Sequence, residues 1–314
     1  MLKGQRKKDP GEAELLRWIA ARTRLDPARF PIGPGDDAAL VNAPQRRLVV
    51  TVDTIAEGVD FKLESATAHQ VGRKAVAVCL SDLAAMGAEP LCLVASAVLT
   101  RGLGGSFVKG LYKGMESAAA RFDCPLVGGD LTSWAGDVVI TVTALGTPVA
   151  AKAVTRSGAR AGDAVFVTGS LGGSIRGKHL RFVPRLAESA WLVERFAPTA
   201  MIDISDGLGV DAGHIASESG CRICIEAARV PVSRAAHQMA AEGGACALTR
   251  AVGDGEDFEL LFTLPTIKAD KCIRCWPFKT RLSLVGEAVE GEGAVLRHAD
   301  GKEEPIDSEG YQHF

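Results

Sequence analysis

The chain has 314 residues, a formal net charge of −2 at pH 7 and 47% hydrophobic residues. That length predicts one large or two medium domains, with enough apolar material for real cores. The charge balance gives no electrostatic case for nucleic acid or membrane surfaces, and no leader-like segment or bilayer-length apolar run is evident, so a soluble, cytoplasmic protein is expected.

In chain order, Leu15, Leu16, Ile19 and Ala20 have helical spacing, after a basic start, Lys3 to Lys8, that reads as a frayed terminus. The β-branched run 47–53 predicts a strand ending on Asp53. Residues 65–87 predict one long Ala-rich helix, closed by Gly87 and Pro90. A buried strand (90–99), a helix (about 106–122), a short strand "CPLVGGD" ending on Asp130, and a strand at 137–146 follow. The pattern breaks over 147–163, which places a boundary between an N-terminal domain, 1–150, and a C-terminal domain, 151–314. Beyond it, strand "DAVFVTG" feeds the glycine-rich turn "GSLGGS" (169–174). Helices at about 185–196, 206–219, 233–241 and 266–275 then alternate with strands "AMIDIS", "RICIEA", "FELLFTL" and "RLSLVGE". Strands and helices mix in both halves, so both domains are expected to be α/β or α+β sandwiches.

The acids form a pattern. Asp36 and Asp37 sit side by side in "PIGPGDDAAL", Asp53 and Asp130 at predicted strand ends, Asp82 inside an apolar helix, Asp203 in a strand and Asp206 at the opening of a helix. Each alone reads equally well as a cap, a turn or a surface acid; Asp206 could be an N-cap. As a set, Asp37, Asp53, Asp82, Asp130, Asp203 and Asp206 are more economically read as one site. Hard oxygen ligands without His or Cys select Mg²⁺ over zinc, and Mg²⁺ held by a few carboxylates usually also holds phosphates. There is no G-x-x-x-x-G-K-[ST] and no kinase-type H-R-D or D-F-G set. "GSLGGS" either cradles a phosphate on its N–H groups or only reverses the chain. Two C-x-x-C pairs, Cys221 with Cys224 and Cys272 with Cys275, raise a zinc site, but buried reduced thiols are the expectation.

The motifs "GPGDDAAL", "TVDTIAEGVDF", "GRKAVAVCLSDLAAMGAEP", "LVGGDLT", "AVTRSGARAGD", "IDISDGLGVDAGHIASESG", "GDGEDFELLF" and the closing "GYQHF" fall in an order that resembles the thiamine-monophosphate kinase family. That family belongs to the aminoimidazole ribonucleotide synthetase-like (PurM-like) superfamily. The resemblance runs from about residue 12 to the C-terminus. It implies a two-domain α/β fold, an N-terminal ATP- and Mg²⁺-binding domain that pairs in a homodimer, and transfer of the ATP γ-phosphoryl to thiamine monophosphate. By position it implies metal ligands at Asp37, Thr51, Asp53, Asp82, Asp130, Asp203 and Asp206. Nucleotide contacts are implied at Tyr112, Gly129, Asp130, Arg156 and Ser205, and substrate contacts at Glu256 and Tyr311 and at position 60. The chain departs from the family pattern in Asp60 for His, Val52 for Thr, Cys79 for Asn, and a short segment after Ser174. These departures keep open a sister enzyme acting on another small phosphorylated or amide substrate, or a non-catalytic nucleotide-binding paralogue.

Overall fold

The computed structural model describes residues 18–19, 21–30 and 47–307. It is an α/β protein of two compact units. The first takes the described residues up to Cys79 together with Pro90–Gly146; the second takes Leu80–Glu89 and the described residues from Thr147 on.

The first unit contains β1 (Val49–Ala56), most of α1 (Ala68–Ala85), β2 (Ala88–Thr100), α2 (Gly105–Ala120), β3 (Leu126–Trp134) and β4 (Val139–Pro148). Its four-stranded sheet has the order β1-β4-β2-β3. β1 and β4 are antiparallel, with Asp53 opposite Val142; β2 and β3 are parallel, with Ser96 opposite Asp130. The parallel pair needs a crossover, and α2 supplies it. Period-two alternation divides the faces. Val50 and Val52 are each 61% exposed, whereas Ile55, Ile140, Val142 and Ala144 are buried. Helices α1 and α2 meet backbone to backbone: a Cβ on Gly72 would lie 2.1 Å from the Leu111 carbonyl oxygen, and one on Gly114 the same distance from that of His69.

Two expected strand ends move. β1 continues past Asp53 to Ala56, and β3 past Asp130 to Trp134. Both acids are therefore mid-strand, because Thr54, Ile55, Thr132 and Trp134 extend the β-favouring runs.

The second unit contains β5 (Asp163–Thr168), α3 (Leu186–Arg195), β6 (Ala200–Asp203), α4 (Leu208–Ser219), β7 (Arg222–Glu226), α5 (Arg234–Glu242), α6 (Ala247–Gly253), β8 (Leu260–Pro265), α7 (Thr266–Cys275), β9 (Leu282–Val289), β10 (Ala294–Arg297) and β11 (Glu303–Pro305). The seven-stranded sheet runs β11-β10-β7-β9-β5-β8-β6. Every residue of β5 is buried, which suits a central strand covered on both faces. Val165 and Val167 join a core with Ile202, Leu208, Ile215, Ile223 and Leu261. Phe166 and Phe262, paired in register, point to the other face and stack at 5.3 Å, a contact worth about 0.5–1.5 kcal/mol beyond its buried area.

Candidate functional site

β6 delivers Asp203 at its C-terminal end, 4% exposed, and the Ser81 hydroxyl from α1 donates to its carboxylate at 2.6 Å. Burial pushes Asp203 up to about 7, and the charge of Asp82 adds to the shift. Both Ser81 and Asp82 belong to the α1 segment of this second unit. After Asp203 the chain turns through Ile204, Ser205 and Asp206 into α4. Asp206 is not the N-cap: that position is Gly207, and the amides of Asp206 and Gly207 both donate to Asp211 Oδ2 at 3.2 Å. Asp211 is 1% exposed, and burial, then Asp203 and Asp206, push its carboxyl well above the ordinary range. His214 lies one turn further along α4. One potential ligand atom from each of Asp206, Asp211 and His214 falls within a 4.8 Å cluster. Among the described residues, no ion pair joins a lysine or arginine to Asp203, Asp206 or Asp211. The exposed Arg156 acts from further off, pulling Asp203 and Asp211 slightly down.

Sequence reasoning missed Asp211 and His214. The signal was present in "SDGLGVDAGHI", where two side chains three apart share a helix face.

A second acidic turn, 254–259, is internally neutralised. Asp257 Oδ2 accepts the Gly172 amide at 2.6 Å, and Asp254 accepts the Gly173 amide at 2.9 Å. Lys178 Nζ lies 3.1 Å from Asp257 and 3.0 Å from Glu259. Arg185 grips Glu259 through two bonds of 2.7 Å. The "GSLGGS" turn therefore does not offer the amides of Gly172 and Gly173 to a phosphate; carboxylates of its own chain occupy them. Lys178 and Arg185 come from the short segment after Ser174, so that departure still carries two cations into the interior. Beside this cluster, the Glu256 amide donates to the Ser205 carbonyl at 2.7 Å, tying the two acidic turns together.

In the first unit, Thr51 and Asp53 lie on β1, on the face shared with buried Val142 and Ala144, while Val52 points to the opposite face. The Val52 departure thus falls away from Asp53. Cys79 is buried, and its thiol donates to the Val142 carbonyl at 3.3 Å. Asp130, exposed on β3, sits at the far edge of the sheet from Asp53, with two strands between. At about 4.8 Å per strand the sheet path between them is roughly 14 Å, too far for one ion. Gly129 approaches β2 closely: a Cβ there would lie 2.1 Å from the Ala95 carbonyl oxygen.

Two expected ligand contacts also have local partners. The Asp60 carboxylate accepts the Ala56 amide at 2.7 Å, closing the turn after β1. Tyr112 is 6% exposed, packs edge-on against Trp18 and shares a 2.8 Å hydrogen bond with the Thr23 hydroxyl. Asp37 and Tyr311 lie outside the described residues. Of the C-x-x-C pairs, Cys221, Cys224 and Cys272 are buried and Cys275 is exposed.

The model for the N-terminal domain of AIR synthase related proteins matches residues 35–147. The thiamine-monophosphate kinase of Rhodopirellula baltica is 36% identical over 310 residues, covering 96% of this chain and 97% of that protein. Among solved structures, the thiamine-monophosphate kinase of Stenotrophomonas maltophilia is similar with a TM-score of 0.78 at 30% identity, covering 91% of this chain and 95% of that one. AaThiL complexed with AMPPCP and TMP is similar with a TM-score of 0.76 at 30% identity, covering 97% of each chain.

Proposed function

This chain belongs to the thiamine-monophosphate kinase family and catalyses ATP-dependent phosphorylation of thiamine monophosphate, and we propose that it does so with Mg²⁺ held by its aspartates. The observation that carries the metal reading is the Asp203 turn. The buried carboxylates of Asp203 and Asp211 flank the half-buried Asp206, and among the described residues no ion pair joins a lysine or arginine to any of these three. A hard, all-oxygen set short of positive charge fits Mg²⁺.

The proposed ligands are Asp82, Asp203 and Asp206 in the second unit and Thr51, Asp53 and Asp130 in the first, with Asp37 added from the family pattern. Because Asp53 and Asp130 occupy opposite sheet edges, they serve different ions. Bound Mg²⁺ supplies neutralising charge where two polyanionic phosphates approach. Gly129, Arg156 and Ser205 are proposed to contact ATP: Gly129 by its bare backbone, Arg156 by its exposed guanidinium. Glu256 and Tyr311 are proposed to contact the thiamine cation, by charge complementarity and by an aromatic face. The attacking phosphate oxygen is already ionised, so no strong base is required of the protein; alignment and charge stabilisation suffice for a loose, in-line transfer. Tyr112, beside the nucleotide, and Asp60, beside the substrate, have local partners as well, the Thr23 hydroxyl and the Ala56 amide, and the family pattern alone supports their contacts.

Homodimer formation is also proposed. It is supported by apolar side chains on the open face of the first sheet: Val50 and Val52 at 61% exposure, Trp134 at 47% and Val94 at 38%. Six buried free cysteines suit a reducing compartment, and the cytoplasm is the proposed location.

The test is turnover of purified protein with ATP, Mg²⁺ and thiamine monophosphate, read as thiamine diphosphate formed and ADP released. Nucleotide binding without either product would overturn the reading.

A further inference from the structure

We infer that Asp211 is a positioning residue for the cation-binding turn: its buried carboxylate fixes the Asp206–Gly207 backbone, and its charge strengthens cation binding from behind Asp206. This rests on the proposed Mg²⁺ role of Asp206.

The turn that carries Asp206 has two halves held in different ways. The first half is pinned by backbone. Ile204 donates to the Glu259 carbonyl, Phe258 donates to that of Ile204, and Glu256 donates to that of Ser205, each at 2.7 Å. The second half is held by a side chain. Its two amides, on Asp206 and Gly207, converge on a single atom, Asp211 Oδ2, at 3.2 Å. The backbone amide of Asp211 returns to the Gly207 carbonyl at 3.0 Å, closing the loop. The orientation of Asp206 therefore follows from where Asp211 sits.

Holding two amides does not require a charge. The carbonyl oxygen of an asparagine has two lone pairs and would accept both. A carboxylate at 1% exposure is the more costly choice of acceptor, because a buried charge loses its hydration where a neutral amide oxygen would lose far less. The charge becomes favourable only once a cation occupies the neighbourhood. A carboxylate that orients a ligand-bearing turn and adds negative potential is what an outer partner of a metal site provides, and losing such a partner typically weakens metal binding by about 10–100-fold.

Mn²⁺ titration by electron paramagnetic resonance, with and without a non-hydrolysable ATP analogue, reads binding without turnover. Asp211→Asn keeps an acceptor for the two amides and removes the charge. It should weaken Mn²⁺ binding about tenfold, while its thermal midpoint in metal-free buffer equals or exceeds that of the unmodified protein. Asp211→Ala removes acceptor and charge together and should lower both the affinity and the midpoint. Unchanged Mn²⁺ affinity in Asp211→Asn would reduce Asp211 to a cap and overturn the inference. A loss beyond about a thousandfold would make it a direct ligand and overturn it from the other side. If the unmodified protein binds no Mn²⁺, the metal reading and this inference fall together. If it binds Mn²⁺ but phosphorylates nothing, the kinase reading alone falls.

Discussion

The turns at 203–211 and 254–259 lie in the same unit and are both rich in buried acids, yet they are balanced differently. Around 254–259, Lys178 and Arg185 approach Asp257 and Glu259 to within 3.1 Å, and the amides of Gly172 and Gly173 complete the set. Around 203–211 the partners are a serine hydroxyl, backbone amides and a distant arginine. The difference separates two uses of the same residue type. Acids neutralised by their own chain fix architecture. Acids left short of positive charge are costly to ionise until something positive binds, and these are the ones to read as functional. Two motifs that look alike in sequence thus divide differently: the acids of "IDISDGL" lack a close cation, whereas in "GDGEDFELLF" Asp254, Asp257 and Glu259 are held by their own chain and Glu256 is the proposed substrate contact.

The sharpest way to break that contrast is to unbalance the neutralised turn. Glu259→Gln removes the closest partner of Arg185, leaving it only the Glu188 carboxylate at 3.6 Å as a counter-charge among the described residues, and leaves Lys178 only that of Asp257. Removing one partner of a buried pair costs about 3–5 kcal/mol, so urea unfolding should shift by that amount, with residual activity following the folded fraction. A stable variant with lost turnover would place Glu259 among the functional acids and erase the distinction.

Titration offers a second handle. Burial pushes Asp257 from 3.8 up to about 6, against the pull of Lys178. The folded state therefore holds this proton more tightly than the unfolded chain. The contribution is complete below about pH 4 and is lost as the pH rises through about 6, on the order of 3 kcal/mol for a shift of this size. Stability measured from pH 4 to 7.5 should fall more steeply for the unmodified protein than for Asp257→Asn. Parallel curves would mean that Lys178 holds Asp257 ionised throughout.

The unbalanced turn should respond the opposite way. Asp206→Asn relieves repulsion among Asp203, Asp206 and Asp211, so the thermal midpoint should hold or rise. Turnover at limiting Mg²⁺ should drop about a hundredfold, as for loss of a metal-site partner. A lowered midpoint with intact turnover would assign Asp206 to architecture.

How much of this was legible from sequence follows from the range of the interactions. The long β-branched runs and the Ala-rich helix were readable because their periodicity is local. Strand β10 spans only Ala294–Arg297, β11 Glu303–Pro305 and α6 Ala247–Gly253, too short for a period to show. Asp203 and Asp206 stood out beside glycine and apolar residues. Asp211 did not, because an acid in the first turn of a helix is already explained by the helix dipole. The neutral balance of 254–259 was invisible for a different reason: Lys178 is 79 residues from Asp257, and Arg185 is 74 from Glu259. Charge balance is a tertiary property, and motif order alone could not show which acids have partners.

Asp60 gives the smallest and most discriminating test of that rule. It stands where the family pattern has a histidine, which marks it as a substrate contact, yet its carboxylate accepts the Ala56 amide at 2.7 Å and its carbonyl accepts Lys74 Nζ at 2.6 Å. By the balance criterion it belongs with the structural acids. Asp60→Ala should then cost about 1 kcal/mol in unfolding free energy, the usual net worth of one hydrogen bond, and should leave the KM for thiamine monophosphate within about threefold, less than 1 kcal/mol of binding. Asp60→Asn, which keeps the acceptor, should recover most of the stability. A rise in KM of about tenfold or more in both variants, equivalent to about 1.4 kcal/mol, would show that an acid can close a turn and grip a substrate at once, and partner-counting would then fail as a way to sort the two classes.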